Sequence, residues 1–194
     1  MKMVQNKTKT ASWIVSNCDD APSKRQELVR QLKLLLNVDV YGKCGQRCPK
    51  YPKQCVNLDS YWFYFAFENS LCTDYVTEKV YGKMPQNAVV VIFNGAEMQR
   101  FLPPRSYIDA NSFENPEALA KYLIHLTQNP DEYIQYFWWR KFYFIYSWTR
   151  LDYDKICDAL NKPNIIGKTQ IYSNVTAWLN NEKNGCNVET KIQF

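Results

Sequence analysis

The chain has 194 residues, of which 46% are hydrophobic and 22% are charged, and its formal net charge at pH 7 is +5. This length suits one domain with a full core, alone or with a small appendage, and the composition excludes a disordered or low-complexity chain. The positive charge is concentrated in the first 56 residues and suits an anionic ligand, an acidic partner, a membrane surface or a merely solvated face. The basic residues do not alternate with aromatic residues as they do in nucleic-acid-binding modules, so nucleic acid is not expected as a partner.

The first third of the chain predicts a β-loop-α-β unit. Residues 11–16 are a short β-rich run that ends in a turn-prone cluster, and residues 38–41 form a second such run. A helical pattern lies between them, and the two strands are expected to be parallel and joined by a right-handed crossover. The apolar face of this helix is predicted to consist of Leu28, Leu32, Leu35 and Leu36.

Strands and helices continue to alternate along the rest of the chain. Strands are predicted at residues 61–67, 88–93 and 107–108, and the most apolar one, 88–93, is expected to be central because parallel strands are buried on both faces. This alternation predicts an α/β fold with a Rossmann-like, doubly wound parallel sheet. Helices are predicted after the strand at 61–67 and its polar loop, through about Lys83, at 95–101, from Pro116 to Gln128, from Asp131 toward Trp148, and at 152–161 and 171–181.

The cysteine content is typical of a protein from an oxidising compartment. Seven cysteines occur, and three of them, Cys44, Cys48 and Cys55, lie in one loop-like segment. Asn6 and Asn174 begin two N-glycosylation sequons, which are modified in the same lumen. The alternative for Cys44 and Cys48 is a zinc knuckle, which the distance of the single histidine disfavours. An odd count leaves one thiol outside the intrachain pairs, and the sequence does not determine the pairing.

One segment concentrates residues that suit ligand binding. The strand at 61–67 is followed by a polar loop that holds Asn69 and leads to Tyr75, Glu78 and Lys79. Ligands of open α/β sheets bind beyond the carboxyl ends of strands. On a helix, the spacing of the last three residues would put them on one face, where the carboxylate accepts bonds from hydroxyl groups and the ammonium neutralises phosphate. An ordinary surface ion pair on a capped helix would show the same spacing.

Several motifs occur in order along the chain. Residues 65–79 read FAFENSLCTDYVTEK, and this string resembles the hallmark F-x-x-A/S-F-E-N-S-x-x-x-D-Y-I/V-T-E-K of the α1,3/α1,4-fucosyltransferases. Further segments similar to that family are WIVSNC at 13–18, VDVYGKCG at 38–45, FLPPRSYI at 101–108 and FWWR at 137–140. The resemblance departs at residues 83–95, where the family's usual glycine and strand proline are missing and Pro85 falls at the predicted helix end.

The resemblance implies a set of residues that bind GDP-fucose. Arg25 aligns with the arginine that holds the donor diphosphate, for which a planar guanidinium is suited, and Lys24 is the alternative if the alignment slips by one position. Glu68 is a conceivable general base by its chemistry, but the family places that base in another domain, so no catalytic residue is assigned. The implied donor-binding residues are Arg25, Asn69, Tyr75, Glu78 and Lys79.

The resemblance also implies a GT-B architecture, in which two Rossmann-like domains face each other across a cleft. Residues 1–162 would be the carboxyl-terminal, donor-binding domain, and residues 163–194 a helical appendage. The acceptor domain of the family is expected to have no counterpart here. The membrane anchor is expected to have none either, since no apolar run approaches the roughly 20 residues that span a bilayer. The implied reaction is the transfer of L-fucose from GDP-β-L-fucose to N-acetylglucosamine of a glycoprotein glycan, with inversion.

The family further implies a location in the Golgi lumen, no required cofactor, no metal site and a divalent cation that is at most stimulatory. Two alternatives stay open: a non-catalytic module that binds GDP-fucose, and a GT-B glycosyltransferase that uses another sugar nucleotide. The acceptor glycan is expected to be chosen by the acceptor domain, without which the isolated chain would be inactive.

Overall fold

The computed structural model describes residues 2–48, 55–145, 153–162, 169, 171–179, 185–186 and 190–193. Its centre is a five-stranded sheet in which all neighbouring strands are parallel, in the order β2-β1-β3-β4-β5. The predicted α/β fold with a doubly wound parallel sheet is confirmed. The strands are β1 (Lys9–Ile14), β2 (Val38–Tyr41), β3 (Tyr61–Phe67), β4 (Val89–Phe93) and β5 (Tyr107–Asp109).

Helices connect and cover the strands. Short 3-10 helices occupy Leu58–Ser60, Met98–Arg100, Ala110–Ser112 and Gln135–Lys141. The α-helices of the described residues are α1 (Lys2–Gln5), α2 (Arg25–Leu35), α3 (Glu78–Tyr81), α4 (Pro116–Gln128), α5 (Pro130–Ile134), α6 (Tyr153–Leu160) and α7 (Val175–Leu179). No described helix is long and apolar enough to cross a membrane.

The sheet is buried on both faces by two apolar layers. Phe63, Phe65 and Phe67 of β3 face the layer that contains α2 and α4, whereas Tyr64 and Ala66 face the layer that contains α3. Every residue of β4 is buried. Such continuous apolar runs are what a strand covered on both sides requires. The strand β4 is interior, as predicted, although β3 takes the central place in the order.

One side chain of α2 was assigned to the wrong face. Leu28 and Leu32 are fully buried, but Leu35 is 46% exposed. The helix ends at Leu35, and Leu36 takes an extended conformation with φ −133° and ψ 151°. The change of direction turns Leu36 into the core and leaves Leu35 at the surface.

The helix predicted to reach Lys83 was also wrong, because α3 is a single turn that ends at Tyr81. The next residue is Gly82, which has a low helix propensity. Pro85 lacks the amide hydrogen that a further turn would need and disfavours a helical residue before it. Pro85 therefore lies in the turn that leads to β4 and does not interrupt a helix.

The helix predicted from Asp131 toward Trp148 is shorter and changes type. Its α-helical part is α5, and the chain then winds more tightly as a 3-10 helix over Gln135–Lys141. This aromatic run has a weak helix propensity. Phe137 packs in the α2–α4 layer and Trp139 in the α3 layer, so the segment contributes to both layers. Residues 146–150 of the prediction lie outside the described residues. The helix predicted at 95–101 is limited to its 3-10 turn.

The cysteines exclude the zinc alternative, because Cys44 and Cys48 belong to two different disulfides. The described disulfides join Cys18 to Cys44, Cys48 to Cys55 and Cys72 to Cys186. The thiol of Cys157 is free and exposed.

The described part of the C-terminal tail is fastened to the sheet domain. Ile192 is 2% exposed in the α2–α4 layer, and the backbone amide of Gln193 donates to the carbonyl oxygen of Glu114 at 2.8 Å. The disulfide of Cys186 with Cys72 fastens the tail at a second point. The predicted division at residue 162 stays a prediction, and these contacts join residues on its two sides.

Arg140 holds the turn that precedes β4. Its Nη2 donates to the carbonyl oxygens of Met84, Pro85 and Gln86 at 3.3, 3.2 and 2.5 Å. Its Nη1 donates to Oδ1 of Asn87 at 2.9 Å. The backbone carbonyl groups of this turn lie outside a helix, and the guanidinium of Arg140 supplies the hydrogen bonds that they need.

Replacing Arg140 by Lys should lower the free energy of unfolding by about 1–2 kcal/mol, because one ammonium cannot serve four acceptors arranged around a planar fork. Urea denaturation measures the change. The matched control is Arg100→Lys, whose guanidinium is largely exposed and pairs with Asp74 at the surface, and it should cost less than about 1 kcal/mol. Equal losses in the two variants would show that the fork does not hold the turn.

A polar cluster links the three neighbouring strands β2, β1 and β3. Oδ2 of Asp39 lies 2.8 Å from Nζ of Lys9 and accepts a hydrogen bond from the hydroxyl of Tyr61 at 2.5 Å. The hydrogen bonds from Lys9 and Tyr61 hold the pKa of Asp39 below its usual value of 3.8, against the opposing effect of burial.

This lowered pKa makes stability depend on pH in a known direction. The stabilisation by ionised Asp39 is complete above the pKa of the unfolded chain and is lost as the pH falls through the lower pKa of the folded state. The difference in unfolding free energy between wild type and Asp39→Asn should therefore be constant from about pH 7 to 5 and shrink between about pH 4 and 2. Urea denaturation across that range measures it. A difference that stays unchanged below pH 4 would contradict the assignment.

Candidate functional site

A cavity of about 590 Å³ opens at the carboxyl ends of β1 and β3. These strands are neighbours in the sheet, but the chain leaves β1 for β2 on one flank and leaves β3 for β4 on the other. Such a reversal of strand order is where open α/β sheets bind ligands. All five residues predicted to bind the donor line this cavity: Arg25, Asn69, Tyr75, Glu78 and Lys79.

The reason given for three of them was partly wrong. Glu78 and Lys79 are the first residues of α3, but Tyr75 lies in the loop before it and shares no helical face with them. The loop nevertheless brings Tyr75 to the cavity wall, where its side chain is 37% exposed. The fold of the loop, and not helical spacing, therefore places this ring.

Arg25 is the first residue of α2 and reaches the cavity from the α2 side. The preceding Lys24 adopts a left-handed conformation with φ 56° and is exposed, so Arg25 and not Lys24 lines the cavity. The Arg25 side chain is buried, its Nη1 donates to the carbonyl oxygen of Phe67 at 3.0 Å, and its Cζ lies 5.7 Å from the ring centroid of Trp13.

The guanidinium of Arg25 is not fully satisfied by the protein. Its Nε is a buried donor without a hydrogen-bond partner among the described residues. Burial lowers the pKa of the Arg25 guanidinium, and the charge of Glu68 acts in the opposite direction. Because an arginine stays protonated in proteins, this end of the cavity carries a buried positive charge that an anion would satisfy.

Hydrogen bonds join the loop before α2 to the loop after β3. The amide of Ser23 donates to the carbonyl oxygen of Asn69 at 3.2 Å, and the Ser23 hydroxyl donates to that of Glu68 at 2.8 Å. Nδ2 of Asn17 donates to Oδ1 of Asn69 at 3.0 Å. These bonds leave Nδ2 of Asn69 without a partner among the described residues, so it is a donor for a ligand.

The carboxylate of Glu68 has a structural role in the site. Its side chain is fully buried, and its Oε2 lies 2.7 Å from Nζ of Lys79. Its Oε1 accepts hydrogen bonds from the amide and the hydroxyl of Thr77, at 2.9 and 2.7 Å. With both oxygens occupied and no exposure, Glu68 is not placed to act as a general base.

Lys79 is held in a defined position by the same contacts. Nζ donates to Glu68 and, at 3.0 Å, to the hydroxyl of Thr77, which also caps α3. An ammonium has three donors, so one is left for a ligand. The neighbouring carboxylate of Glu78 is exposed and has no ion pair among the described residues, and it can accept hydrogen bonds from hydroxyl groups.

The wall also contains residues that were not predicted to bind the donor, among them Asn17, Tyr64 and Lys83. Asn17 lies in a segment that carried the resemblance, but only its contact with Asn69 assigns it to the site. Tyr64 looks like an ordinary core residue in the sequence, and burial raises the pKa of its hydroxyl. Lys83 falls where the resemblance is weakest.

The described residues contain no group of three or more His, Cys, Asp or Glu that could hold a metal ion. The expected stimulation by a divalent cation stays a prediction. Modification of the two sequons also stays a prediction, although Asn6 and Asn174 are both exposed. Oδ1 of Asn174 caps α7 by accepting a hydrogen bond from the amide of Ala177 at 2.8 Å.

The chain is similar in sequence to proteins of one known family. Residues 4–178 match the model of the C-terminal region of glycosyltransferase family 10 (fucosyltransferase). Alpha-(1,3)-fucosyltransferase C of Drosophila melanogaster is 41% identical over 97% of this chain and 44% of that protein. Alpha-(1,3)-fucosyltransferase fut-1 of Caenorhabditis elegans is 38% identical over 73% of this chain and 33% of that protein. The chain thus spans less than half the length of these relatives.

A solved structure shows the same fold. The crystal structure of an α1,3-fucosyltransferase with GDP-fucose superimposes with a TM-score of 0.65 at 20% identity, over 87% of this chain and 50% of the other. This share is the one expected for one half of a GT-B glycosyltransferase.

The ion pair of Glu68 and Lys79 can be tested by a double-mutant cycle. Lys79→Met should lower the free energy of unfolding by about 3 kcal/mol, because it leaves the Glu68 carboxylate buried without its cation. The double variant Glu68→Gln/Lys79→Met should recover at least about 1 kcal/mol of that loss, since it removes both charges. Urea denaturation at pH 7 provides the four values. A double variant that loses the sum of the two single losses would show that the pair is not coupled.

Proposed function

This chain belongs to glycosyltransferase family 10, the fucosyltransferases, and on that premise we propose that it is the donor-binding half of an α1,3-fucosyltransferase. The enzyme transfers L-fucose from GDP-β-L-fucose to the 3-hydroxyl of N-acetylglucosamine in a glycoprotein glycan, with inversion at the fucose carbon. One observation carries the proposal: the cavity at the reversal of strand order collects all five side chains that match the family's donor site.

The positive groups of the cavity suit the diphosphate of the donor. Arg25 offers a buried Nε without a partner, and Lys79 offers the donor that Glu68 and Thr77 leave free. Both cations are fixed before the ligand arrives, so little reorganisation is needed when negative charge develops on the departing GDP. Their task in the reaction is to stabilise that leaving group.

The remaining groups suit the hydroxyls of the donor. The Glu78 carboxylate is exposed to the cavity and accepts hydrogen bonds from hydroxyl groups of the fucose or of the ribose. Nδ2 of Asn69 donates to a hydroxyl or phosphate oxygen beside it, and the Tyr75 ring covers the ligand. Carboxylate and amide groups next to fixed cations distinguish a sugar nucleotide from a simple anion.

The general base of the reaction is assigned to no residue of this chain. A base must take the proton of the acceptor hydroxyl as the bond from its oxygen to the fucose carbon forms. Glu68, the carboxylate of the motif that is a conceivable base by its chemistry, is buried and fully bonded. We assign the base, and the choice of acceptor glycan, to the acceptor domain.

The lumen of the Golgi is the compartment that we propose for the enzyme. Three disulfides among the described cysteines support a location outside the reducing cytosol. No metal ion is required in the proposed reaction, because fixed cations of the protein stand beside the diphosphate, and a divalent cation is at most stimulatory.

Calorimetric titration of GDP-fucose into the folded chain tests the donor site. We expect GDP-fucose and GDP to bind, and GDP-mannose and UDP-galactose to bind at least about tenfold more weakly, which corresponds to about 1.4 kcal/mol. Glu78→Gln should weaken GDP-fucose by about tenfold, because it removes a charged acceptor for a sugar hydroxyl without disturbing the pair of Glu68 and Lys79. An equal loss with GDP assigns Glu78 to the ribose, and a loss with GDP-fucose alone assigns it to the fucose.

The matched control is Glu117→Gln, which removes an exposed carboxylate of α4 that lines another groove. Its affinity for GDP-fucose should equal that of wild type. UDP-galactose that binds as tightly as GDP-fucose would favour a glycosyltransferase with a different donor. Tight and selective binding without fucose transfer, after the acceptor domain of a relative is added, would favour a non-catalytic module.

A further inference from the structure

Lys83 lies in the donor cavity but outside the motif that predicted the site. It follows α3 by two residues, and its amide donates to the carbonyl oxygen of Val80 at 3.0 Å, which fixes the backbone there. The side chain is partly buried, and its Nζ lies 5.8 Å from the ring centroid of Tyr64 on the cavity wall. The ammonium is thus held near an aromatic ring of the cavity wall.

The charge of Lys83 is not offset by the protein. Neither an ion pair nor a hydrogen bond engages its ammonium among the residues that the structure describes, in contrast to Lys79, which forms an ion pair with Glu68. Burial lowers the pKa of the Lys83 ammonium. Taking a charge out of water without a partner is unfavourable, so a ligand that carries negative charge would relieve this cost.

Lys83 and Arg25 occupy opposite walls of the cavity. Arg25 stands over Trp13, whose ring lies in the α2–α4 layer, whereas Lys83 stands over Tyr64, whose ring lies in the α3 layer. An anion between the two walls meets a cation from each side of the sheet. In a nucleoside diphosphate sugar, the two phosphates are the only anionic groups.

We propose that Lys83 is a further donor-binding residue, whose ammonium contacts the diphosphate from the wall opposite Arg25. This inference rests on the proposed function, because it names the part of the donor that Lys83 recognises. Contact with the diphosphate gives the Lys83 charge the partner that the protein does not supply.

The test compares GDP with guanosine in three variants. Lys83→Met removes the charge and keeps an unbranched side chain, Lys83→Arg keeps the charge, and Lys33→Met removes a charge from an exposed position on α2. Calorimetry measures GDP, and ligand-observed NMR measures guanosine, whose binding is weaker. We expect Lys83→Met to weaken GDP about tenfold, as for a lost charge-assisted hydrogen bond, and to leave guanosine unchanged. Lys83→Arg and Lys33→Met should stay within about threefold of wild type for GDP.

Each other outcome has a distinct meaning. GDP that binds wild type and Lys83→Met equally well overturns the role of Lys83 and leaves the donor site standing. A loss for guanosine as large as that for GDP also overturns it, because Lys83 would then contact the base or hold the cavity wall. A wild type that does not bind GDP, with circular dichroism that shows a folded sample, contradicts the proposed function itself. Equal urea midpoints of the Lys83 variants and wild type exclude unfolding as the cause of a loss.

Discussion

The carboxylate of Glu68 is fully buried at the end of the central strand, and a charge in that place has to be neutralised where it stands. Lys79 supplies the opposite charge and Thr77 supplies two hydrogen bonds, so the chain after β3 must turn back, 9 to 11 residues further along, to the end of the strand it has just left. This return forms the loop that carries Asn69 and Tyr75 along the cavity. The need to neutralise the buried Glu68 carboxylate therefore determines the path of the loop that lines the cavity.

This constraint gives a physical meaning to the conspicuous motif of the chain. Some of its positions face the cavity and others build the support beneath them. Glu78 and Lys79 are adjacent on α3, yet Glu78 is exposed and Lys79 is bonded to Glu68, so only one of the two neighbours is fully available to a ligand. A site built in this way holds its cation in place before any ligand is bound, which is the condition for electrostatic stabilisation of a leaving group.

The sequence was sufficient for the parts of the fold that depend on local pattern. The runs at 38–41 and 61–67 are strands with the predicted bounds. For 61–67, which is buried almost throughout, the physical reason is that an apolar segment covered on two sides has few alternatives. The gathering of the site residues was also foreseeable, since the carboxyl ends of parallel strands meet at one edge. The end of α3 was missed although Gly82 and Pro85 signal it in the sequence. The division of the aromatic segment was not foreseeable, because it depends on the packing of Phe137 and Trp139 in different layers. The sequence could not assign Lys83 to the site, because its place there depends on the contact of its ammonium with the ring of Tyr64, which belongs to β3.

The bond between Cys72 and Cys186 has a consequence for how the protein is made. The two cysteines are 114 residues apart, and Cys72 lies three residues before Tyr75 on the loop beside the cavity. During synthesis, Cys72 is made long before its partner, and the cysteines of the other two described disulfides, Cys18, Cys44, Cys48 and Cys55, precede it in the chain. The sheet can assemble in that interval, but the loop receives its covalent anchor only when synthesis has passed residue 186. The loop beside the cavity can therefore be fastened only if the Cys72 thiol is still unreacted when Cys186 has been made.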